Sequence, residues 1–180
     1  MAQENGRKRI TVFGGSRCGP DAPEYKEALK LGRMLAEAGF DVASGGYAGV
    51  MEAISRGAHE AAGHVIGVTM EQFKSAPNPY LKKIEPSADF YARLQTLILQ
   101  SVAYVALRGG MGTLTEISLV WNKLTMNVLS PRPLILLGDS WTLALKGLRE
   151  HMVISDRDMT FLSFAATAEE AIAILKEKIG

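Results

Sequence analysis

Residues 103–116 read AYVALRGGMGTLTE, and this stretch decides the fold. The apolar residues 103–107 are typical of a buried strand, and the glycine-rich segment after them leads into an apolar helical pattern. Two other stretches repeat this order, because residues 10–16 read ITVFGGS and residues 40–50 read FDVASGGYAGV. Strands that run through glycine loops into helices predict βαβ units and a parallel sheet.

The same alternation continues along the remaining chain. Helices are predicted over residues 23–39, 50–62, 88–101, from the third glycine loop to about 124, 141–151 and 167–179. Strands are predicted over residues 10–13, 40–43, 65–68, 103–107, 133–137 and 161–165, with a short edge strand near residue 84 inside a long loop (70–88). The apolar strands do not alternate between apolar and polar residues, which indicates helices on both faces of the sheet.

The predicted fold is therefore an α/β, Rossmann-like, doubly wound parallel sheet with helices on both faces. It forms a single domain over residues 1–180, in which we expect residues 1–8 to be flexible. In such sheets, ligands bind beyond the carboxyl ends of the strands, where the strand order reverses. All three glycine loops follow strands and are predicted to lie at that edge.

Composition excludes several classes of partner. The chain has 20 Lys and Arg against 19 Asp and Glu, so it lacks the basic excess of a typical duplex-DNA binder, and neither nucleic acid nor a membrane is an expected partner. No apolar run approaches the ~18 residues of a membrane span, and residues 1–10 lack the apolar core of a secretory signal. The single cysteine fits a reducing, cytoplasmic location.

The third glycine loop is a candidate phosphate site, formed by Gly109, Gly110, Gly112 and Thr113. Glycines let the backbone approach a ligand, and the free N–H groups at a helix N-terminus attract an anion. The spacing is neither the dinucleotide fingerprint GxGxxG nor a P-loop, which needs a following lysine. The alternative is a tight βα turn in which Thr113 caps the helix.

Glu116 and Arg93 are the candidate catalytic residues. Glu116 follows Thr113 by three positions and is predicted in the first helical turn, where it could complete a capping box or bind sugar hydroxyls. The spacing alone slightly favours capping. Arg93 lies early in an apolar helix that would begin near the strand ends, so its guanidinium could hold a phosphate or a leaving base. A shared site requires the two side chains to converge.

The other two glycine loops contribute Gly15 and Ser16 from the first and Gly45 and Gly46 from the second. Each loop alone is explained by a βα turn. Together the three loops would line one crevice, and the hydroxyl of Ser16 could donate to a phosphate or a sugar. The combination predicts a nucleotide-like ligand.

Neither a metal nor a cofactor is expected. The histidines lack the HExxH spacing of zinc proteases, and one cysteine cannot build a zinc cluster. A pyridoxal-phosphate enzyme needs a lysine for its Schiff base, and none lies in or beside the glycine loops. Cys18 follows a strand near a helix start and is expected to be somewhat acidic.

Taken together, these motifs resemble the LONELY GUY-type phosphoribohydrolases, whose members are often mislabelled as lysine decarboxylases. The family pattern is PGGxGTxxE with an arginine on the preceding helix, and here residues 108–116 read RGGMGTLTE, with Arg93 upstream. Residues 45–68 resemble the second glycine segment of the family closely. Three positions depart from the pattern: Arg108 replaces the proline, Leu94 replaces a lysine that often follows the arginine, and Thr115 occupies a position that is frequently acidic.

This resemblance implies a hydrolase that cleaves the N-glycosidic bond of a nucleoside 5′-monophosphate and releases the base and ribose 5-phosphate. Arg93 and Glu116 would be catalytic, the glycine loops would bind the phosphate, and the protein would form a homodimer or a larger homo-oligomer. Family members with altered motifs include carriers of the molybdenum cofactor. A non-catalytic carrier of a nucleotide or of such a cofactor is therefore the alternative.

Overall fold

The computed structural model describes residues 6–180, and strands and helices alternate along them. In this range there are seven strands: β1 (Arg9–Phe13), β2 (Asp41–Ser44), β3 (Val65–Met70), β4 (Lys83–Ser87), β5 (Ala103–Ala106), β6 (Leu134–Leu137) and β7 (Leu162–Ala165). The helices of the same range are α1 (Pro23–Glu37), α2 (Val50–Glu60), α3 (Phe90–Leu99), α4 (Met111–Thr125), α5 (Asp139–His151), α6 (Asp156–Met159) and α7 (Ala168–Ile179).

All the strands pair in parallel, in the order β4-β3-β2-β1-β5-β6-β7. The chain moves outward from β1 to β4 in one direction and then returns to the other side of β1 with β5. The strand order therefore reverses beside β1, as in other doubly wound sheets. The predicted Rossmann-like α/β fold is confirmed.

Helices cover both faces of the sheet, as predicted. One apolar core joins the sheet to α1, α2 and α7, and a second joins it to α3, α4 and α5. Strands β2, β3, β5 and β6 are buried at every position, because helices pack on both sides of them. Burial on both faces explains their continuous apolar sequences.

The long loop (70–88) contains the predicted edge strand near its end and a buried asparagine near its middle. The expected edge strand is β4, whose residues alternate between more exposed and more buried positions. Its Pro86 is compatible with an edge strand, because proline has no N–H to donate. Within the loop, Asn78 is buried and its side chain donates to the carbonyl of Tyr47 at 3.1 Å, so the loop braces the turn after β2.

Helix α6 was not predicted, although Ser155 and Asp158 form a capping box at its start. Most of the predicted flexible segment, residues 1–8, lies outside the described residues. Within the described part, the carbonyl of Lys8 accepts a hydrogen bond of 3.0 Å from the N–H of Asp41.

Candidate active site

A cavity of about 680 Å³ opens at the carboxyl ends of β1 and β5. This is the edge at which the strand order reverses, and loops from β1, β2 and β5 surround it. Of the predicted site residues, the cavity wall contains Gly15, Ser16, Gly45, Arg93, Gly109, Gly110, Gly112, Thr113 and Glu116. The structure thus brings together nine of the ten residues, with Gly46 as the exception.

The N-terminus of α4 faces the cavity with unused backbone donors. Gly110 is the N-cap residue, and the first intrahelical bond runs from the N–H of Leu114 to the carbonyl of Gly110 at 3.0 Å. The N–H groups of residues 111–113 precede that bond and have no partner within the helix. Apart from its chain neighbours and the backbone of its own helix, no atom of residues 6–180 lies within 4 Å of an ideal Cβ at Gly112, so a ligand has room to approach. The helix end therefore suits an anion.

The predicted capping role of Thr113 is wrong. Helix α4 begins at Met111, so Thr113 is the third helical residue rather than the cap, and Gly110 makes no side-chain capping bond. Thr113 is buried beneath the glycine loop, where an ideal Cβ at Gly109 would lie 2.1 Å from its Oγ1. The loop needs glycine at 109 because Thr113 occupies that space.

Arg93 is buried, although isolated arginines usually lie at surfaces. It is the fourth residue of α3, and its Nε donates to the carbonyl of Val68 in β3 at 2.8 Å. Its Nη1 lies 3.7 Å from Oε1 of Glu116, and the two residues are only 6% and 9% exposed. The predicted convergence of Arg93 and Glu116 is confirmed.

Glu116 is placed by the second turn of α4, not the first, since the helix begins at Met111. This position excludes the predicted capping box with Thr113 and brings the carboxyl to the cavity. Burial raises the pKa of the Glu116 carboxyl to about 7, although the positive charge of Arg93 acts to lower it. A carboxyl with such a pKa can change its protonation state near neutral pH, which is a property of many catalytic groups.

Gly45 in the second glycine loop leaves the space that the side chain of Arg93 occupies. An ideal Cβ at Gly45 would lie 1.9 Å from Nη2 of Arg93 and 2.6 Å from Sδ of Met51. Gly46 has φ of +77°, its N–H donates to Oγ of Ser44, and its carbonyl accepts from the N–H of Asn78. Its backbone groups are thus used within the protein, and the structure gives Gly46 a role in the turn.

We expect the substitution Gly45→Ala to lower both stability and ligand binding. The added methyl group must displace the guanidinium of Arg93, which is buried and hydrogen-bonded to Val68. Overpacking of this kind costs about 1–3 kcal/mol, measurable by urea unfolding. The matched control is Gly147→Ala in α5, where no atom lies within 4 Å of the new Cβ. Equal stability of the two variants would contradict the assigned role of Gly45.

Four further residues line the cavity; Arg17, Glu24 and Met51 were not predicted there, whereas Arg108 was expected as a cation at the rim of the phosphate loop. Arg17 and Arg108 lie on the loops after β1 and β5, Glu24 lies in the first turn of α1, and Met51 lies in α2. One signal could have identified Glu24, because α1 begins at the same edge of the sheet as the glycine loops. The four residues add two guanidinium groups, one carboxylate and one thioether to the wall.

The expected acidity of Cys18 is wrong. Burial raises the pKa of this thiol, and the negative charge of Glu24 raises it further. The thiol is therefore a weaker nucleophile at neutral pH than an exposed cysteine. Over residues 6–180, no group of three His, Cys, Asp or Glu side chains could hold a metal ion. No helix in the same range has the length and apolar character needed to cross a bilayer.

The parallel sheet, the helix end facing a cavity and the buried Arg93–Glu116 pair define a Rossmann-like protein with a candidate anion site. The chain belongs to the SLOG cluster4 family, whose model matches residues 7–159.

Curated relatives carry a name that matches the resemblance found in the sequence. The chain is 36% identical over 114 residues to the cytokinin riboside 5′-monophosphate phosphoribohydrolase LOG7 of Arabidopsis thaliana, covering 61% of this chain and 52% of the relative. It is 34% identical over 113 residues to the probable enzyme LOGL5 of Oryza sativa subsp. japonica, covering 61% and 46%. The chain thus spans about half the length of these relatives.

A solved structure matches almost the whole chain. The molybdenum cofactor binding protein from the phototrophic bacterium Rippkaea orientalis superimposes with a TM-score of 0.79 and 26% identity. The match covers 97% of this chain and 98% of that protein. Relatives of this chain therefore include both named phosphoribohydrolases and a cofactor-binding protein.

Proposed function

We propose that this protein hydrolyses the N-glycosidic bond of a nucleoside 5′-monophosphate. Water and the nucleotide are converted into the free base and ribose 5-phosphate, without a metal ion or a cofactor. The observation that carries the proposal is the buried Arg93–Glu116 pair, 3.7 Å apart, in the same cavity as the open N-terminus of α4. The named activity of the curated relatives supports it.

The phosphate binds at the N-terminus of α4 in this proposal. The unused N–H groups of residues 111–113 donate to phosphate oxygens, and the helix dipole favours the negative charge. Gly15, Ser16, Gly109 and Gly110 surround the same space from the neighbouring loops. Backbone donors bind every phosphate monoester alike, so the base is selected elsewhere in the cavity.

Glu116 acts on the ribose in its ionised form. As the bond between C1′ and the base breaks, positive charge develops on the sugar, and a nearby carboxylate stabilises this oxocarbenium-like state. The same carboxylate can accept a hydrogen bond from a ribose hydroxyl or from the attacking water. Arg93 lowers the pKa of Glu116 against the effect of burial and so favours its ionised form, and it can donate to the phosphate or to the departing base.

The direct test is incubation of the purified protein with AMP, followed by chromatography of the products. We expect adenine and ribose 5-phosphate to appear in equal amounts. Other nucleoside monophosphates, including N6-modified adenine nucleotides, measured in parallel would define the base preference. Tight binding of AMP without release of adenine would contradict the proposed hydrolysis.

The rate should depend on pH in a defined direction. Because the pKa of Glu116 is raised to about 7, the carboxyl is mostly neutral at pH 6 and mostly ionised at pH 8. If the ionised form is active, kcat/KM for AMP rises with pH and reaches a plateau, with a midpoint near that pKa. A rate that falls as the pH increases through this range would instead indicate that Glu116 donates a proton.

The second candidate function is a carrier that binds a phosphorylated cofactor without turnover. The specific observation in its favour is the match along nearly the whole chain to a molybdenum cofactor binding protein. The replacement of the family's proline by Arg108 is consistent with an altered ligand. Binding of the isolated cofactor to the protein, together with no base release from any nucleotide, would favour the carrier.

We also propose that the chain forms a homodimer, as the family resemblance implies, and that α3 and α4 contribute to its interface. Tyr91 in α3 is 80% exposed, and Met111 in α4 is 76% exposed. Both helices pack on the same apolar core of the sheet, and exposed apolar side chains are typical of an interface. Light scattering after size-exclusion chromatography should give the mass of a dimer, and Tyr91→Glu should shift it toward the monomer. A monomeric wild type would contradict this assembly.

A further inference from the structure

Two guanidinium groups on the cavity wall have no assigned role. Arg17 and Arg108 both line the cavity and are exposed. Neither side chain makes an ion pair or a hydrogen bond with any described residue. An unpaired arginine at the surface is common, but two of them on the wall of one anion-accepting cavity indicate a ligand with more charge than the helix end alone requires.

The two arginines project from loops that lie against each other. The N–H of Gly15 donates to the carbonyl of Arg108 at 3.2 Å. An ideal Cβ at Gly15 would lie 3.3 Å from Cα of Gly109, so the two backbones are nearly in contact. Arg17 follows Gly15 by two residues, and Arg108 precedes the N-cap residue Gly110 by two. Both side chains therefore begin beside the N-terminus of α4.

The other charged side chains of the cavity do not neutralise both Arg17 and Arg108. Arg93 forms an ion pair with Glu116, whose Oε1 lies 3.7 Å from Nη1 of the arginine, so Arg93 already has an acidic partner. Arg17 and Arg108 then face only one other carboxylate of the wall, that of Glu24, which forms no ion pair within the described chain. The mouth of the cavity thus carries an excess of one positive charge before the helix dipole is counted.

We propose that Arg17 and Arg108 form a second anion subsite, which binds the β-phosphate of a nucleoside 5′-diphosphate. This inference rests on the proposed function, because it assumes that the α-phosphate occupies the N-terminus of α4. The linked second phosphate then reaches the adjoining loops, where two guanidinium groups can donate in pairs to its oxygens. The subsite widens the substrate class from 5′-monophosphates to 5′-diphosphates.

The test compares the affinities of AMP and ADP by isothermal titration calorimetry, without added metal and with Glu116→Gln present in every protein, so that neither nucleotide is hydrolysed; wild type here denotes the protein that keeps both arginines. We expect wild type to bind ADP roughly tenfold more tightly than AMP, since one or two charge-assisted hydrogen bonds contribute that much. In the double variant Arg17→Gln/Arg108→Gln, the ratio of the two affinities should fall close to one. The control Arg157→Gln removes an exposed arginine that does not line the cavity, and it should keep the wild-type ratio.

Inorganic phosphate and pyrophosphate separate this inference from the proposed function. Tighter binding of pyrophosphate than of phosphate, lost in the double variant, supports the subsite even if no base is released from any nucleotide. Equal affinities of wild type for AMP and ADP overturn it, even if AMP is hydrolysed. An ADP preference that survives in the double variant also overturns it. Thermal unfolding of the double variant checks its fold, which we expect to be intact because neither side chain has a hydrogen-bond or ion-pair partner among residues 6–180.

Discussion

Replacing Glu116 by glutamine should nearly abolish base release while leaving the fold intact. The substitution removes the carboxylate that stabilises the oxocarbenium-like state, and such groups contribute about 10²–10⁴-fold to the rate. We expect kcat for AMP to fall within this range while the dissociation constant of AMP changes much less, because the phosphate binds to the backbone of α4. Single-turnover adenine release and equilibrium binding measure the two effects separately.

The stability of this variant provides an internal check. The pKa of Glu116 is raised from an ordinary value of 4.5 to about 7, so ionisation of the buried carboxyl destabilises the fold. Glu116 therefore lowers the stability of wild type relative to the glutamine variant as the pH increases from 4.5 to 7. The variant should be at least as stable as wild type at pH 8. Glu177→Gln, an exposed change in α7, is the control, and equal activity of both variants would contradict the role of Glu116.

Removal of the Arg93 side chain should produce the second large effect. In Arg93→Ala, the carbonyl of Val68 loses its donor and Glu116 loses the cation that lowers its pKa. We expect kcat/KM for AMP to fall on the order of 10²–10³-fold, as for removal of one preorganised donor. The free energy of unfolding should fall by about 1–3 kcal/mol, measured in urea at constant pH.

The pH profile of this variant distinguishes a catalytic effect from simple damage to the fold. Without Arg93, the pKa of Glu116 should rise further, so the midpoint of the rate profile should move to higher pH. Ionisation of the substrate phosphate would not move in this way. Guanidinium added to the solution should restore part of the rate. An unshifted midpoint in Arg93→Ala would contradict the electrostatic coupling, and Arg157→Ala serves as the exposed control.

The fold could be predicted from the sequence because its signals are local. A strand buried on both faces needs a continuous apolar run, and each βα turn at the site uses glycine or small polar residues, so residues 103–116 already indicated a parallel sheet. Helix α6 was missed because it has four residues and no apolar period. The N-terminus of α4 was misplaced by three positions, because Gly110 makes no side-chain capping bond that would mark the start.

The candidate site was predicted less completely. The positions of Arg93 and Glu116 on predicted helices near the strand ends, together with the family pattern, identify both residues, but neither signal gives the distance between their side chains. The cavity roles of Arg17 and Glu24 were missed because neither residue belongs to a glycine motif. Gly46 belongs to such a motif, yet its backbone groups are used within the turn after β2. A residue that belongs to a glycine motif therefore need not contact the cavity.

The sequence by itself determined the order of strands and helices, since apolar periodicity and turn residues act over a few neighbouring positions. Only the tertiary structure decided that Arg93 and Glu116 lie 3.7 Å apart and that burial raises the pKa of the carboxyl to about 7. Burial, distance and the pKa depend on side chains brought together from β3, α3 and α4. Those segments meet only because the sheet reverses its strand order beside β1, a long-range arrangement that no local pattern specifies.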